Sequence, residues 1–195
     1  PGTSISHANT FVYGIATSAN IPSEYKIVKN GAVIDPSGLK KYDVVTLDAA
    51  NRQALVSDTR VSGRYSEGGP TVSYPQEVKV YGNSFRISDS AAAFFKDMKL
   101  KDYITLLFDA DGNVAAAYPR STVSADMQGI VTAIDEGKAT VTLTNGITLR
   151  NMDIDKLDKP TALMGRLVSV STNGDKAVLR SEERRVGKEC RSRWS

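Results

Sequence analysis

The hydrophobic and polar residues of this chain alternate in short runs, a pattern typical of β-strands with one buried face. The clearest run is Leu100–Pro119 (LKDYITLLFDADGNVAAAYP), in which Ile104, Leu106 and Phe108 occupy every second position. The Asp111-Gly112 pair follows, and Asp-Gly favours a two-residue type I′ turn because both central residues need positive φ. The stretch therefore predicts a β-hairpin.

Two further stretches repeat this hairpin pattern. Displacement by 61 positions gives Lys41–Ser57, with Val45 and Leu47 at the core positions, and displacement by 62 gives Met164–Leu179. In the third stretch Asn173-Gly174 replaces the Asp-Gly pair. The first stretch has no glycine at its turn, and we expect Asn51 to adopt the left-handed conformation there.

Two further elements precede each of the three hairpins in the chain. The first is a short strand with a glycine, and the next is another hairpin-like element. The second elements carry β-branched residues around Asn-Gly or Gly-Asn, which favours a tight turn. They are Tyr25–Ile34, Glu77–Ser88 and Lys138–Leu149. The short strands are Phe11–Ala16, Val61–Tyr65 and Gln128–Ile134. The order strand, hairpin, linker, hairpin therefore occurs three times.

This order predicts an all-β fold of three tandem small barrel-like or sandwich modules, because barrels protect the edges of short strands. The predicted modules span residues 11–62, 63–123 and 124–179, after a linker over 1–10. One short helix is expected at about 89–99, where Ala91, Phe94, Phe95 and Met98 make an apolar face after a Ser88 or Asp89 cap. We expect it to cover an open end of the β core.

Two connections vary between the modules. Ser66–Pro75 (SEGGPTVSYP) holds two glycines and two prolines, so we expect an exposed loop. Asn151–Pro160 takes the place of the helix in the third module, and its apolar residues favour one helical turn.

The basic character of the chain comes from its last residues. Of 25 basic and 22 acidic residues, Arg180–Ser195 (RSEERRVGKECRSRWS) holds six and three, which leaves 19 of each before it. This tail also contains the only cysteine and the only tryptophan. It resembles the translation of a short-read sequencing adapter, so we expect it to be non-native and set it aside. A basic nucleic-acid-binding tail is the alternative.

Without the tail, the chain offers no basic stripe for nucleic acid and no thiol chemistry. The chain begins at Pro1 without a methionine, and we expect it to be a fragment. A signal peptide, a membrane span or a wall anchor therefore cannot be judged from it.

Residues that could carry chemistry are few. His7, the only histidine, lies in the polar N-terminal segment, where an exposed residue is expected. Asp109, Asp111 and Asn113 resemble the opening of a calcium loop, but Tyr118 stands where the pattern needs glutamate, which favours a hairpin turn. A second acidic cluster is expected to be a solvated face, with weak calcium binding between modules as the alternative; it comprises Asp153, Asp155 and Asp158. The sequence predicts no catalytic residues, no firm metal site and no cofactor.

Three tyrosines are the candidate ligand contacts. Tyr65, Tyr74 and Tyr81 cluster near the Ser66–Pro75 loop, where aromatic rings can stack on a glycan or on a protein partner. The pattern favours a structural role with the hydroxyl in water over contact with a ligand.

Two stretches, Lys40–Tyr65 (KKYDVVTLDAANRQALVSDTRVSGRY) and Leu100–Pro119, resemble the repetitive β region of S-layer-homology-domain proteins of Gram-positive bacteria. The resemblance spans about Lys40–Leu149 and identifies no functional residues. It implies an extracellular, cell-wall-associated setting, in which domains outside this chain bind wall polymers and the β region acts as a spacer.

The leading hypothesis is accordingly a non-enzymatic structural region of a secreted surface protein. A glycan- or protein-binding adhesin module is the first alternative. An accessory β domain of a wall-active enzyme is the second.

Overall fold

A computed structural model describes residues 9–15 and 20–182, and most of these residues lie in or between short β-strands, which confirms the all-β prediction. The strands are β1 (Thr10–Val12), β2 (Lys26–Lys29), β3 (Ala32–Ile34), β4 (Val44–Asp48), β5 (Gln53–Ser57), β6 (Arg60–Arg64), β7 (Glu67–Gly69), β8 (Glu77–Val80), β9 (Asn83–Arg86), β10 (Tyr103–Phe108), β11 (Val114–Pro119), β12 (Gln128–Asp135), β13 (Lys138–Leu143), β14 (Thr148–Asp153), β15 (Leu167–Asn173) and β16 (Lys176–Ser181).

The strands form separate open sheets. Their orders are β1-β4-β5-β2-β3, β11-β10-β6, β7-β8-β9 and β14-β13-β12-β15-β16. No sheet closes into a barrel within the described residues, so the expected barrel closure is not formed there. The β2–β5 ladder is parallel, whereas β4 pairs antiparallel with both β1 and β5, and β10 pairs antiparallel with both β6 and β11.

The chain divides into two compact units. Unit 1 takes in the described residues up to Val78 together with Ser84–Ala125, and unit 2 takes in Lys79–Asn83 and the described residues from Asp126 onward. The division into three modules at residues 62 and 123 stays a prediction.

The predicted order of elements does occur three times. We call β1–β5 copy 1, β6–β11 copy 2 and β12–β16 copy 3. In each copy the first strand pairs antiparallel with the first strand of the second hairpin, as β1 with β4, β6 with β10 and β12 with β15. A 3-10 helix precedes that hairpin in each copy, at Pro36–Gly38, Asp89–Phe95 and Pro160–Leu163.

The last strand of each copy also has a parallel neighbour. In copy 1 this is the β2–β5 ladder, and in copies 2 and 3 it is a single bridge, Ile87 with Val114 and Ile154 with Ala177. Copies 2 and 3 share the surrounding hydrogen bonds. The amide of Ile87 donates to the Gln76 carbonyl as that of Ile154 donates to the Gly137 carbonyl, at 2.8 and 2.9 Å.

The hairpin Leu100–Pro119 is confirmed as β10 and β11, but the predicted two-residue turn is wrong. The amide of Gly112 donates to the carbonyl of Asp109, and the amide of Asp109 donates to the carbonyl of Asn113. Only Gly112 in this turn has positive φ, +83°. The Asp109 carboxylate accepts from the amides of Asp111 and Asn113, so a longer turn replaces the type I′ turn.

Tight type I′-like turns occur instead in the preceding hairpins. Asn30 and Gly31 both have positive φ between β2 and β3, as do Tyr81 and Gly82 between β8 and β9. In the β4–β5 turn the left-handed residue is Arg52, with φ of +51°, rather than the predicted Asn51. Asn51 instead binds the Asp48 carboxylate through its amide groups.

The helix expected at about 89–99 is a shorter 3-10 helix, Asp89–Phe95, that packs on β11. Ser88 precedes it without a side-chain cap, because its hydroxyl donates to the Val114 carbonyl. Ala91, Phe95 and Met98 are buried, but Phe94 is exposed, so the predicted apolar face is only partly buried.

Two connections also differ from expectation. The helical turn predicted for the apolar residues of Asn151–Pro160 is not formed: residues 151–153 still belong to β14, and the 3-10 helix that follows spans Pro160–Leu163. The Ser66–Pro75 loop contains β7. The strand expected to end at Leu179 continues to Ser181.

Each unit buries its own apolar residues. In unit 1 one cluster draws on copies 1 and 2 and comprises Val12, Val44, Leu107, Ala115, Ala116 and Val123. A second lies within copy 1 and comprises Ile27, Val45, Ala54 and Val56. In unit 2 the fully buried side chains include Val141, Leu149, Met152 and Val168.

None of the helices in the described ranges is long and apolar enough to span a membrane.

Candidate functional site

The three candidate tyrosines have different surroundings. Tyr74 exposes 53% of its surface at the end of the Ser66–Pro75 loop. Tyr65 and Tyr81 are buried, so neither presents its ring for stacking on a ligand. Of the predicted contacts, Tyr74 alone has an accessible ring, and its ligand contact stays a prediction.

Tyr65 fastens the loop in which Tyr74 lies. Its hydroxyl donates to the Val72 carbonyl at 2.8 Å, and its ring packs on Phe95 with centroids 5.6 Å apart. A Cβ atom at Gly68 would overlap the Tyr65 hydroxyl, which explains the glycine at that position. Burial raises the pKa of Tyr65 to about 12. Tyr65 is therefore a neutral structural anchor at physiological pH.

A buried pair of opposite charges lies in copy 1. The Nζ atom of Lys29 is 2.7 Å from Oδ2 of Asp43 and 3.6 Å from Oδ2 of Asp58. The side chains of Lys29 and Asp43 are only 11% and 1% exposed, whereas that of Asp58 is 44% exposed. Burial removes the hydration of both charges, and the attraction between them compensates for this loss only when the two groups are in close contact and well hydrogen-bonded.

The strand pattern explains why these charges meet. Lys29 lies two residues after Ile27, and Asp43 lies two before Val45, so alternation places both on the face of the copy 1 cluster. Lys29 is the last residue of β2 and is paired with Val56 of β5. Its side chain extends to Asp43, the residue immediately before β4.

The two carboxylates of this cluster are held differently. Asp43 Oδ2 also accepts from the backbone amide of Lys40 at 2.9 Å, while Oδ1 of Asp43 is buried without a hydrogen-bond partner. Oδ1 of Asp58 accepts from the Asn30 amide at 2.9 Å. Burial acts to raise the pKa of Asp58, but the Asn30 hydrogen bond and the Lys29 charge outweigh it, so that this pKa is lowered.

Sequence reasoning missed this cluster. Charged residues within short strands are usually solvent-facing, and nothing local marks Lys29 or Asp43 as buried. The repeat gives no signal either, since the displacement of 61 positions places Asp43 on Ile104, and the further displacement of 62 places Ile104 on Arg166. The position is therefore not apolar in all three copies.

The carboxylate of Asp109 makes hydrogen bonds within its own turn. Asp109 is buried, and its Oδ1 accepts two backbone amides within the turn. The hairpin interpretation of this stretch is thus confirmed, because the aspartate serves the turn.

The second acidic cluster lines a concavity in unit 2. Asp153, Asp155 and Asp158 border a pocket of about 550 Å³, which lysine side chains also line. Asp153 is 3.6 Å from Lys138, and Asp155 accepts from the Asn173 amide at 2.9 Å, which lowers the pKa of Asp155. Across the described ranges, no group of three or more His, Cys, Asp or Glu side chains is placed to hold a metal ion.

A larger pocket of about 960 Å³ lies at the end of copy 3. Its lining mixes apolar residues such as Leu157 and Leu163 with Arg180 and Glu182. The last two belong to the segment expected to be non-native, so the shape of this pocket depends on that segment.

His7 and most of the predicted N-terminal linker and C-terminal tail lie outside the described residues. No protein-family model matches the chain, and no curated protein matches it at significant similarity.

Proposed function

We propose that this chain is a non-enzymatic structural region of a secreted, cell-wall-associated protein of the S-layer type, in which it acts as a spacer. The observation that carries the proposal is that one hydrogen-bonding scheme occurs three times. In each copy the first strand pairs with the second hairpin, and the last strand of that hairpin has a parallel neighbour. Repeated small β units are a common way to build length from locally stable pieces.

The polar groups of the described residues support this proposal. Asp109 closes a turn, Tyr65 fastens a loop, Asp48 binds Asn51, and Lys29 pairs with Asp43. Each of these groups therefore has a role in holding the fold. A spacer needs such internal contacts.

The test is replacement of the region in its parent surface protein. The segment corresponding to residues 11–179 would be deleted in one strain and exchanged for an unrelated β domain pair of similar length in another. A spacer predicts that deletion reduces antibody access to the distal domains on intact cells and that the unrelated insert restores it.

Failure of the unrelated insert would overturn the spacer proposal, because a specific surface would then be required. Extraction of the cell wall with fractionation provides the control for localisation. Recovery of the parent protein in the cytoplasmic fraction alone would overturn the proposed setting.

A second candidate function, an adhesin module, is favoured by the exposure of Tyr74 on a loop that Tyr65 holds in place. An aromatic ring on a fixed loop suits stacking on a sugar ring or on a partner protein. Binding to a glycan array should fall on Tyr74→Ala and persist on Tyr25→Ala, which changes a tyrosine outside the loop. Equal binding by both variants would remove this candidate.

A further inference from the structure

The amine of Lys29 and the carboxylate of Asp43 are in direct contact. The amine nitrogen and the carboxylate oxygen are 2.7 Å apart, and both side chains are largely withdrawn from water. Groups held in contact in this way react with a large advantage over free ones, because the entropy of bringing them together is already lost on folding.

A third group stands beside the pair. Oδ2 of Asp58 is 3.6 Å from the same Lys29 Nζ atom, and its other oxygen is fixed by the Asn30 amide. The Asp58 carboxylate therefore lies beside the protons of the Lys29 ammonium group. A base within reach of the proton that it removes is the first requirement for general base catalysis.

The environment favours a neutral product. Asp43 leaves Oδ1 buried without a partner, and the pair lies on the face that carries Val45 and Val56. Two buried charges lose much of their hydration energy, whereas an amide has no net charge to desolvate.

We propose that Lys29 and Asp43 form an intramolecular amide bond that covalently ties β2 to the start of β4. Asp58 takes a proton from the Lys29 ammonium group and passes it to the Asp43 carboxylate, and the neutral amine attacks Cγ of the resulting carboxylic acid. The new N–C bond forms as a C–O bond of the carboxyl group breaks, and the oxygen leaves as water with the protons released from nitrogen. Ammonium and carboxylate thus give amide and water, with no other reactant.

Such a bond would stabilise the fold without any ligand. It closes the chain between residues 29 and 43 and constrains the unfolded state, as a disulfide does in other proteins. It uses no cysteine, and the only cysteine of the chain lies in the segment expected to be non-native.

The test is the intact mass of the full chain, measured under denaturing conditions after purification and again after prolonged incubation of the folded protein. The expected result is a species lighter by one water molecule. After digestion, trypsin should fail to cleave after Lys29, and a branched peptide should join Lys29 to Asp43.

Three variants make the mass result specific. Lys29→Arg keeps the charge but cannot form the amide and should keep its full mass. Asp43→Asn should lose ammonia instead of water, because the leaving group changes. Asp58→Asn should react more slowly than the unmodified chain, and circular dichroism would confirm that each variant folds.

Two outcomes would overturn the proposal. The first is a folded chain that keeps its full mass throughout and is cleaved after Lys29. The second is a water loss that persists in Lys29→Arg or maps to Asp111-Gly112, since an Asp-Gly pair can lose water by cyclising on itself. A branch that maps to Asp58 would overturn the assignment of Asp43.

Discussion

Copies 1 and 3 have the same order of elements but place their first hairpin differently. In copy 1, β2 and β3 lie beside the last strand, β5, and pair with it in parallel. In copy 3, β13 and β14 lie beside the first strand, β12, and a single bridge joins Ile154 to the last strand.

The connection after the first strand explains this difference. In copy 3, only Glu136 and Gly137 separate β12 from β13, and both have positive φ, so the chain must turn back on β12. In copy 1, residues 13–25 separate β1 from β2, which is long enough to carry the hairpin to the far side of the sheet. Sequence repetition therefore preserves the hairpins, while connection length decides where they pack.

The largest test of this comparison is Asp43→Ala, because Lys29 and Asp43 hold the copy 1 hairpin in its position beside β5. The change leaves Lys29 buried with only the more distant Asp58, and we expect the free energy of unfolding to fall by about 3 kcal/mol. Chemical denaturation would measure the loss, and hydrogen exchange should localise it to β2.

The matched control is Asp35→Ala, which changes an exposed aspartate of the same copy and should be nearly neutral. The double variant Lys29→Met with Asp43→Leu should recover the part of the loss that comes from the buried Lys29 charge, but not any part that comes from a covalent bond between the two residues. Equal stability of Asp43→Ala and Asp35→Ala would contradict the proposed role of the pair.

In copy 3 the corresponding test is Gly129→Ala. A Cβ atom there would lie 2.5 Å from the Thr142 carbonyl oxygen and 2.8 Å from the Leu143 Cα atom, so the backbones of β12 and β13 would have to separate. We expect a loss of about 2 kcal/mol, measured by thermal or chemical unfolding. Ala133→Ser, an exposed change on the same strand, provides the control, and an equally stable Gly129→Ala would refute the close approach.

The turns themselves should respond alike in both copies. Gly31 and Gly137 have φ of +82° and +80°, and a Cβ atom at either meets nothing within 4 Å. Replacement of each by alanine should therefore lower stability by a similar amount, about 1.5 kcal/mol, through backbone strain alone. A much larger loss at Gly137 would show that the turn in copy 3 does more than reverse the chain.

The smallest expected loss of stability is in copy 2, on substitution of Tyr65. Tyr65→Phe removes the hydroxyl that donates to the Val72 carbonyl and should lower stability by about 1 kcal/mol. The raised pKa of Tyr65 also predicts a loss of stability as pH rises from 10.0, where the unfolded side chain ionises, to about 12.

The phenylalanine variant should show a smaller loss across that alkaline range, measured by chemical denaturation at successive pH values. Tyr74→Phe, at an exposed ring, is the control and should follow the unmodified chain. An unchanged alkaline decline in Tyr65→Phe would assign the titration to another group.

The hairpins were predictable from sequence because their signals are local. Asn30-Gly31 and the alternation that ends at Phe108 each lie within a few residues of the turn that they specify. Sheet order was not predictable, since alternation shows which side of a strand is buried and says nothing about its neighbour. The turn at Asp109 was misassigned because its carboxylate, and not glycine alone, determines the hydrogen bonds.

The candidate site was less predictable than the fold. Tyr74 was correctly expected in the loop, but Tyr65 and Tyr81 fall in the core because packing on Phe95 and similar neighbours is set by tertiary structure. Lys29 and Asp43 were missed because the burial of a charge depends on a partner that is distant in sequence.

We also expect the parallel β2–β5 ladder to form late during folding. A hairpin such as β4–β5 closes a short loop and forms within microseconds, whereas β2 meets β5 only after the longer segment between them has collapsed. The edge of β5 must therefore exist before β2 can dock on it. We expect the β4–β5 hairpin to belong to the folding nucleus of copy 1 and the β2–β3 hairpin to join after the rate-limiting step.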